Sequence, residues 1–508
     1  MNLLYYVDYL LDRITMYRLV LYYLLVLLGG AVVASVIGLI NYDPIAIVFT
    51  AAFITAISFV TNKVFAYVFN APANVESVYI TALILACIIS PVSNIHGVPF
   101  IFWAAVLAQA SKYILTLKGK HIFNPVAIAV VLTAFGLGST ASWWVGNAVL
   151  TPLIVIGGLM IIRKTRREHM VFSFFISSLL LISLFALLGS TSLTRTYNQV
   201  FLHSSLFFFA FVMLTEPLTS PTTRLRQILY GAVVGVLFPP QVHFLSFYLT
   251  PELALSAGNI LTYFISPKQR LVLNLSEKLQ LSPDIMDFIF RPKVRLNYLP
   301  GQYLEWTLPH PNTDSRGNRR YFTLASSPTE DTLRIGVKFY ENGSSYKRNL
   351  HDVAAGGVVA AGQLAGDFTL PKDKTKKLVF VAGGIGVTPF RSMLKYLIDT
   401  KEKRNIVVIF SNKLAEDIVY KDVLDEAERE LGIKTIYTVT DKEHVPSSWT
   451  GNVGRVDSAM IQSQIPDWKE RTYYLSGPHV MVVGFEKTLT EMGIPSSQIK
   501  KDFFPGFV

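Results

Sequence analysis

The 508 residues are 51% hydrophobic with a mean hydropathy of +0.40, too apolar for an ordinary water-soluble protein and long enough for several domains. A formal net charge of +11 does not argue for nucleic acid, because many basic residues fall in short loops between apolar runs. The single cysteine, Cys87, lies inside such a run, which excludes an intrachain disulfide and a cysteine-ligated iron–sulfur cluster or structural zinc.

Up to about Ile265 the chain is a series of long apolar stretches, Val20–Ile40 and Val171–Leu188 among them, each close to the ~20 residues that cross a bilayer core. They predict about ten crossings, at 19–40, 44–62, 77–90, 99–116, 124–138, 144–162, 170–189, 199–214, 227–239 and 243–265. With the N-terminus in the cytoplasm, Arg13, Lys63, Lys118, Arg163–Arg167, Arg224 and Lys268 all fall inside, whereas the outside loops carry Arg195 alone. The positive-inside rule then sets a multi-pass protein of the cell membrane with both termini cytoplasmic. Met1–Arg18 is aromatic and lacks a small-residue cleavage site, so it does not read as a removable signal.

Two polar breaks stand at membrane depth: His121-Ile122-Phe123-Asn124-Pro125, opening the fifth crossing, and Thr215–Thr223, following the eighth on the same side. Irregular backbone there must be buried in protein or line a cavity, so both breaks are candidates for a ligand pocket. Capped helix ends with Pro at N1 explain the same residues more plainly. The order of His121–Pro125, Ala141–Trp144, Phe211–Thr223 and Gly231–Gly235 resembles the B subunit of the sodium-pumping NADH:quinone reductase and the D subunit of the Rnf complex. That resemblance implies flavins in the membrane part. The family's flavinylation segment is missing, since Trp143-Trp144 runs straight into the next crossing, so no covalent FMN is expected. A second, non-covalent flavin (FMN or riboflavin) is expected near Asn124, Thr219 and Thr222.

After Ser266-Pro267-Lys268-Gln269-Arg270 the texture becomes that of a soluble α/β chain. The expected layout is a membrane domain 1–265, a linker 266–275, an antiparallel β-barrel 276–372 and an α/β lobe 373–508. In the barrel, Arg320, Tyr321, Phe322 and Thr323 bring a cation, aromatic rings and a hydroxyl together; this suits a flavin's pyrophosphate, ring and N5 edge, and equally an edge strand with a solvated arginine. Gly343, Ser344 and Ser345 precede a short helix and are candidates for phosphate contact, or for a capped helix start.

In the lobe, Leu378–Ala382 is an apolar strand that breaks at Gly383, Gly384 and Gly386 and restarts as a helix with Thr388 and Pro389 in its first turn. Glycines without side chains let a pyrophosphate approach backbone N–H groups at a helix N-terminus. Ser476, Gly477 and Pro478 form a second strand-to-helix step, and loops at adjacent strand ends line one crevice. Barrel, Arg-x-aromatic-Thr, Gly-Gly-x-Gly-x-Thr-Pro and Ser-Gly-Pro, in this order, resemble the ferredoxin–NADP reductase superfamily. This implies FAD on the barrel and NADH or NADPH on the lobe, with Phe322, Thr323 and Ser476 nearest the hydride transfer. Phe322 stands where tyrosine is usual, and Ser476 where cysteine is frequent.

The expected protein is therefore a membrane oxidoreductase that passes electrons from NAD(P)H through FAD into the membrane part, to quinone, a redox carrier or an extracytoplasmic acceptor. Two alternatives are a haem flavocytochrome of ferric-reductase type and a channel or transporter with a redox-sensing domain. The membrane-half histidines never occur twice in one predicted crossing, which disfavours a haem pair. The residues leave NADH against NADPH open.

Overall fold

The computed structural model describes residues 7, 11, 14–69, 75–117, 120–244, 247–266, 270–314 and 317–502. The chain divides into two compact units, Met1–Arg270 and Leu271–Val508. Met1–Tyr6, Arg13, Lys118, Lys268 and the closing Phe503–Val508 lie outside the described residues.

The first unit is helical: α1 (Met16–Val36), α2 (Pro44–Val68), α3 (Val75–Ile88), α4 (Val98–Ile114), α5 (Pro125–Leu137), α6 (Thr151–Thr165), α7 (Glu168–Leu188), α8 (Leu193–Leu202), α9 (Leu206–Phe208), α10 (Arg224–Leu237) and α11 (Pro251–Ile265). A polar residue followed by proline starts several of them. The side chains of Asp43, Asn124 and Thr250 cap α2, α5 and α11, each with Pro in the first turn.

Among the described residues, four helical stretches are long and apolar enough to cross a membrane: α1, α2, Ile95–Ile114 (which contains α4) and α7. Several of the roughly ten predicted crossings are shorter or broken. At 14 and 13 residues, α3 and α5 span only about 20 Å each. The run 199–214 is not one helix: it breaks at His203–Ser205 between α8 and α9, and α9 continues as a π-helical turn, Phe209–Met213. The Ser204 hydroxyl causes the break locally, donating to Val200 O at 2.5 Å and accepting the Leu206 N–H at 3.2 Å, bonds that compete with the helix ladder. The last run becomes helical only at Pro251, after a short hairpin of β3 (His243–Phe244) and β4 (Phe247–Tyr248); an equally short hairpin, β1 (Thr116–Leu117) and β2 (Lys120–His121), precedes α5.

Gly231 and Gly235 let α10 lie directly on α7. A Cβ on either would stand 2.2 Å from Met170 O or 2.1 Å from Ser177 Oγ, which is close packing of small residues between membrane helices.

The second unit opens with a six-stranded antiparallel sheet in the order β8-β7-β10-β5-β6-β9. Its strands are β5 (Leu271–Ser282), β6 (Ile285–Arg291), β7 (Tyr303–Thr307), β8 (Arg319–Thr323), β9 (Leu333–Lys338) and β10 (Val358–Ala365). The first of these begins inside the stretch 266–275 that reads as a linker in the sequence, because Leu271, Leu273 and Leu275 alternate into the core. One helix, α12 (Ser345–Asp352), lies between β9 and β10.

A parallel sheet follows in the order β14-β13-β12-β11-β15-β16, from β11 (Leu378–Gly383), β12 (Ile406–Asn412), β13 (Lys434–Val439), β14 (Asn452–Val453), β15 (Thr472–Ser476) and β16 (Ile499–Lys501). The helices α13 (Thr388–Asp399) and α14 (Lys421–Leu431) cover one face, and α15 (Ser458–Gln464) and α16 (His479–Glu491) the other. Strand order reverses at β11, so the crevice opens at the carboxyl ends of β11 and its two neighbours.

One ion pair, Arg391–Glu330, and one hydrogen bond, from Tyr420 to Asp287, join the antiparallel sheet to the parallel lobe. Arg391 on α13 donates to both Glu330 carboxylate oxygens, at 2.7 and 3.0 Å, and to Ala325 O at 2.7 Å. Asp287 on β6 accepts from Arg334 at 3.0 Å and from the Tyr420 hydroxyl. Burial pushes the Glu330 carboxyl up, but the hydrogen bonds and charge of Arg391 outweigh it and hold the group below its ordinary value. For Asp287 burial wins, and its carboxyl is raised.

The two carboxyls therefore act oppositely with pH. Glu330 contributes stability above its unfolded pKa that is lost as pH falls through its lowered folded value, whereas the contribution of Asp287 is full at low pH and lost as pH rises through its raised one. Arg391→Ala is expected to destabilise the second unit by about 3 kcal/mol by stranding Glu330. Glu330→Gln should flatten the acid limb of the unfolding midpoint plotted against pH in detergent; an unchanged limb would show that the pair contributes nothing.

Candidate functional site

Strand alternation sets the first half of the site. On β8, Arg320 and Phe322 share one face and Tyr346 of α12 packs on both, its ring 5.1 Å from the Arg320 guanidinium carbon and 6.1 Å from the Phe322 ring. Arg320 is held by Gly317 O at 3.2 Å and Arg319 O at 2.6 Å. Tyr321 turns to the opposite face, where its hydroxyl donates to Glu305 at 2.8 Å, so it stands apart from Arg320 and Phe322. Thr323 ends the strand with its side chain 4% exposed, and its hydroxyl has no hydrogen-bond partner among the described residues. A buried hydroxyl without a partner costs about 1–3 kcal/mol unless a ligand or water completes it, so the residues present fit a flavin at this strand end.

Backbone contact builds the second half. A Cβ on Gly386 would stand 2.4 Å from Ser476 O and 2.6 Å from Gly477, and one on Gly383 would meet Met481 Sδ at 2.2 Å. Gly383 and Gly386 therefore serve to bring the loops after β11 and β15 together, which differs from the expectation that their bare surface faces a ligand. Gly384 keeps that property: it takes φ +51° and has open space where a Cβ would be. Thr388 and Pro389 sit in the first turn of α13, with Thr388 Oγ1 donating to Ile385 O at 3.2 Å. Ser476 is buried and donates to Asp502 at 3.1 Å, a partner 26 residues away that no local pattern could disclose. Gly477 and Pro478 carry the chain from this serine into α16.

The Gly343–Ser345 turn is largely engaged within the protein. Ser344 Oγ caps α12 by accepting the Lys347 N–H at 3.3 Å. Ser345 Oγ lies 3.0 Å from His310 Nε2 and accepts the Asp314 N–H at 3.0 Å, while its own N–H donates to the Asp314 carboxylate at 2.8 Å. An internal carboxylate thus occupies the helix end where a phosphate was expected. Gly343 makes a tight turn, its N–H donating to Tyr340 O at 2.9 Å.

In the first unit, Asn124 Oδ1 caps α5, and its Nδ2 donates to Glu216 at 2.8 Å. Thr219 donates to the same Glu216 oxygen at 2.8 Å, and His121 Nε2 stands 3.8 Å from the other. Asn259 of α11 accepts the Asn124 N–H at 2.8 Å and donates to Tyr230 at 3.2 Å. Both polar breaks read from the sequence therefore meet in one buried cluster. Asn124 and Thr219 spend their hydrogen bonds on Glu216, and Thr222 is half-buried in the bend before α10. Further along, Trp143 adopts φ +53° and donates its indole N–H to Glu252 at 2.7 Å, while the Ser142 and Trp143 N–H groups close the end of α3 on Ile88 O.

Residues 380–487 match the family model described as the oxidoreductase NAD-binding domain, and residues 145–240 match that of the NQR2, RnfD, RnfE family. The chain thus carries a region similar to the NQR2, RnfD, RnfE family ahead of a region similar to the oxidoreductase NAD-binding domain. Over 241 residues it is 28% identical to a flavohemoprotein of Bacillus cereus, covering 45% of this chain and 59% of that one. Over 227 residues it is 26% identical to the stachydrine N-demethylase reductase subunit Stc4 of Rhizobium meliloti, covering 44% and 63%. The chain spans about three fifths of the length of these curated relatives. Among solved structures, the flavohem-like FAD/NAD-binding domain of nitric oxide dioxygenase from Vibrio cholerae is similar at 21% identity and a TM-score of 0.41, over 46% of this chain and 98% of that one.

Gly386→Ala is expected to destabilise the second unit by about 1–3 kcal/mol, because the loops must part. Gly384→Ala meets open space and pays only the strain of its backbone angle, about 1 kcal/mol. Chemical denaturation of the two variants in detergent checks the order, and equal losses would contradict the loop-to-loop role of Gly386.

Proposed function

We propose that the chain is a membrane-bound oxidoreductase in which NADH or NADPH reduces FAD in the second unit, with electrons continuing through a second, non-covalent flavin in the first unit to a quinone or an extracytoplasmic acceptor. The reading puts the protein in the cell membrane with both termini in the cytoplasm. FAD supplies two-electron acceptance from a hydride and one-electron release onward, which suits a relay from nicotinamide to a membrane carrier. The observation that carries the reading is the buried, unpartnered Thr323 hydroxyl at the end of the strand that also carries Arg320 and Phe322, both packed on Tyr346.

In this reading Arg320 pairs with the FAD pyrophosphate, Phe322 lies against the isoalloxazine ring and Thr323 donates to its N5 edge. The turn at Gly384 and the first turn of α13, with Thr388 and Pro389, hold the nucleotide's phosphates on backbone N–H groups. Ser476, fixed by Asp502, presents a small polar group to the nicotinamide. Gly343, Ser344 and Ser345 shape the end of α12 rather than contacting phosphate through their hydroxyls. In the first unit Asn124 and Thr219 act as positioning residues that hold Glu216, and Thr222 stands beside them as the candidate contact to a flavin. The match of residues 145–240 to the NQR2, RnfD, RnfE family supports this placement.

Anaerobic stopped-flow reduction of the detergent-purified protein by NADH and by NADPH tests the proposal. Thr323→Val should keep FAD bound and slow its reduction by about 10–100-fold, since only a bond to the reacting edge is lost. Arg320→Ala should instead release FAD during purification. A Thr323→Val protein reduced at the wild-type rate, or a wild-type flavin that neither nucleotide bleaches, would contradict the reading.

A further inference from the structure

Between α1, α2 and α3 the first unit holds an apolar groove of about 850 Å³. Small side chains leave room for it, Gly29 on α1 and Ala51, Ala52 and Ala56 on α2, and a Cβ placed on Gly29 would meet nothing within 4 Å. Every lining residue is apolar except Thr55 and Tyr79, and the Thr55 hydroxyl is engaged with Ala51 O at 2.7 Å.

Length and direction say what fits. Residues 37–43 join α1 to α2 and return the chain, so Val32 and Ile47 mark one end of the groove and Leu21 and Phe59 the other. From Leu21 to Val32 the helix rises about 16 Å. That is half of the ~30 Å hydrocarbon core of a bilayer, the depth of one leaflet. The groove therefore suits a single hydrocarbon chain lying along the helices.

Cations stand at the Leu21 and Phe59 end. Lys63, one turn beyond Phe59 on α2, has its ammonium 4.8 Å from the centre of the Phe59 ring and no carboxylate partner among the described residues. Arg18, just before Leu21 on α1, donates to Glu76 of α3 at 2.8 Å and lies 3.4 Å from the Tyr22 hydroxyl. Glu76 in turn precedes Tyr79, which lines the groove. An ammonium without a counter-charge at the mouth of a hydrocarbon groove is complementary to a molecule with an acyl chain and an anionic head. A neutral quinone is served less well, because the lining offers its carbonyls one unengaged hydroxyl, that of Tyr79.

We propose that this groove binds an anionic phospholipid, with one acyl chain between α1 and α2 and the phosphate at Lys63 and Arg18. This rests on the reading of the first unit as embedded in a membrane, and it goes beyond the electron path. With the N-terminus in the cytoplasm, the site belongs to the inner leaflet, the one whose anionic lipids attract lysine and arginine.

The test strips the detergent-purified full chain of lipid and titrates it with phosphatidylglycerol and with phosphatidylcholine of the same acyl chains, counting bound lipid by native mass spectrometry. Phosphatidylglycerol should bind once per chain and about tenfold more tightly than phosphatidylcholine. Lys63→Gln should weaken phosphatidylglycerol by about fivefold and leave phosphatidylcholine unchanged. Gly29→Leu fills the groove from α1 and Ala52→Leu from α2, and each should weaken both lipids by about tenfold. All three variants should keep the wild-type rate of flavin reduction by NADH. Equal affinity for the two lipids, or phosphatidylglycerol binding that survives both filled grooves, would overturn the assignment, and so would displacement of the lipid by one equivalent of a long-chain quinone. A wild-type flavin that NADH does not reduce would overturn the reductase reading alone.

Discussion

A polar group taken out of water must find a partner, and that single constraint organises both units. In the first it draws two polar breaks, 92 residues apart at Asn124 and Glu216, into one cluster where the asparagine's side-chain oxygen and nitrogen are both bonded. Lipid offers no substitute partner, so the short helix α5 starts where Asn124 can both cap it and hold the carboxylate. In the second unit the same constraint makes Arg391 bridge α13 to Glu330 and the Ala325 carbonyl, fixing the lobe that carries the glycine turn against the sheet that carries Arg320.

Against that background the exceptions carry information. Thr323 and Asn412 are two of the several buried side chains in the second unit with a polar atom that has no hydrogen-bond partner among the described residues. They lie at strand ends, on the antiparallel sheet and on the parallel one respectively, which is where a flavin and a dinucleotide would be held. Packing supplies the rest of the site: with no side chains at Gly383 and Gly386, the loops after β11 and β15 touch backbone to backbone and form one wall of the crevice.

Much of this was legible in the sequence because it is local. The strand, glycine turn and helix from Leu378 to Asp399 are written in consecutive residues, as is the Arg-x-Phe-Thr strand, and both appear where the pattern puts them. Hydropathy found the apolar runs but not their breaks, since Ser204 interrupts a helix through two side-chain hydrogen bonds that leave the run's average polarity almost unchanged. Long-range partners were invisible: Asp502 beneath Ser476, Asp314 at the start of α12 and Tyr346 against Arg320 are distant in sequence and obey no spacing rule. For the same reason Gly383 and Gly386 read as ligand-facing, although their neighbour is a loop about 90 residues away. Tyr321 adjoins Arg320 and Phe322 in sequence, but strand alternation turns it to Glu305.

The central claim is an electron path that uses a flavin in each unit, and the flavin content of the detergent-purified full chain tests it most directly. Acid precipitation followed by chromatography should release FAD and a second flavin in equal amounts, with none left on the precipitate. FAD alone would contradict the two-flavin path, and no flavin at all would contradict the reductase.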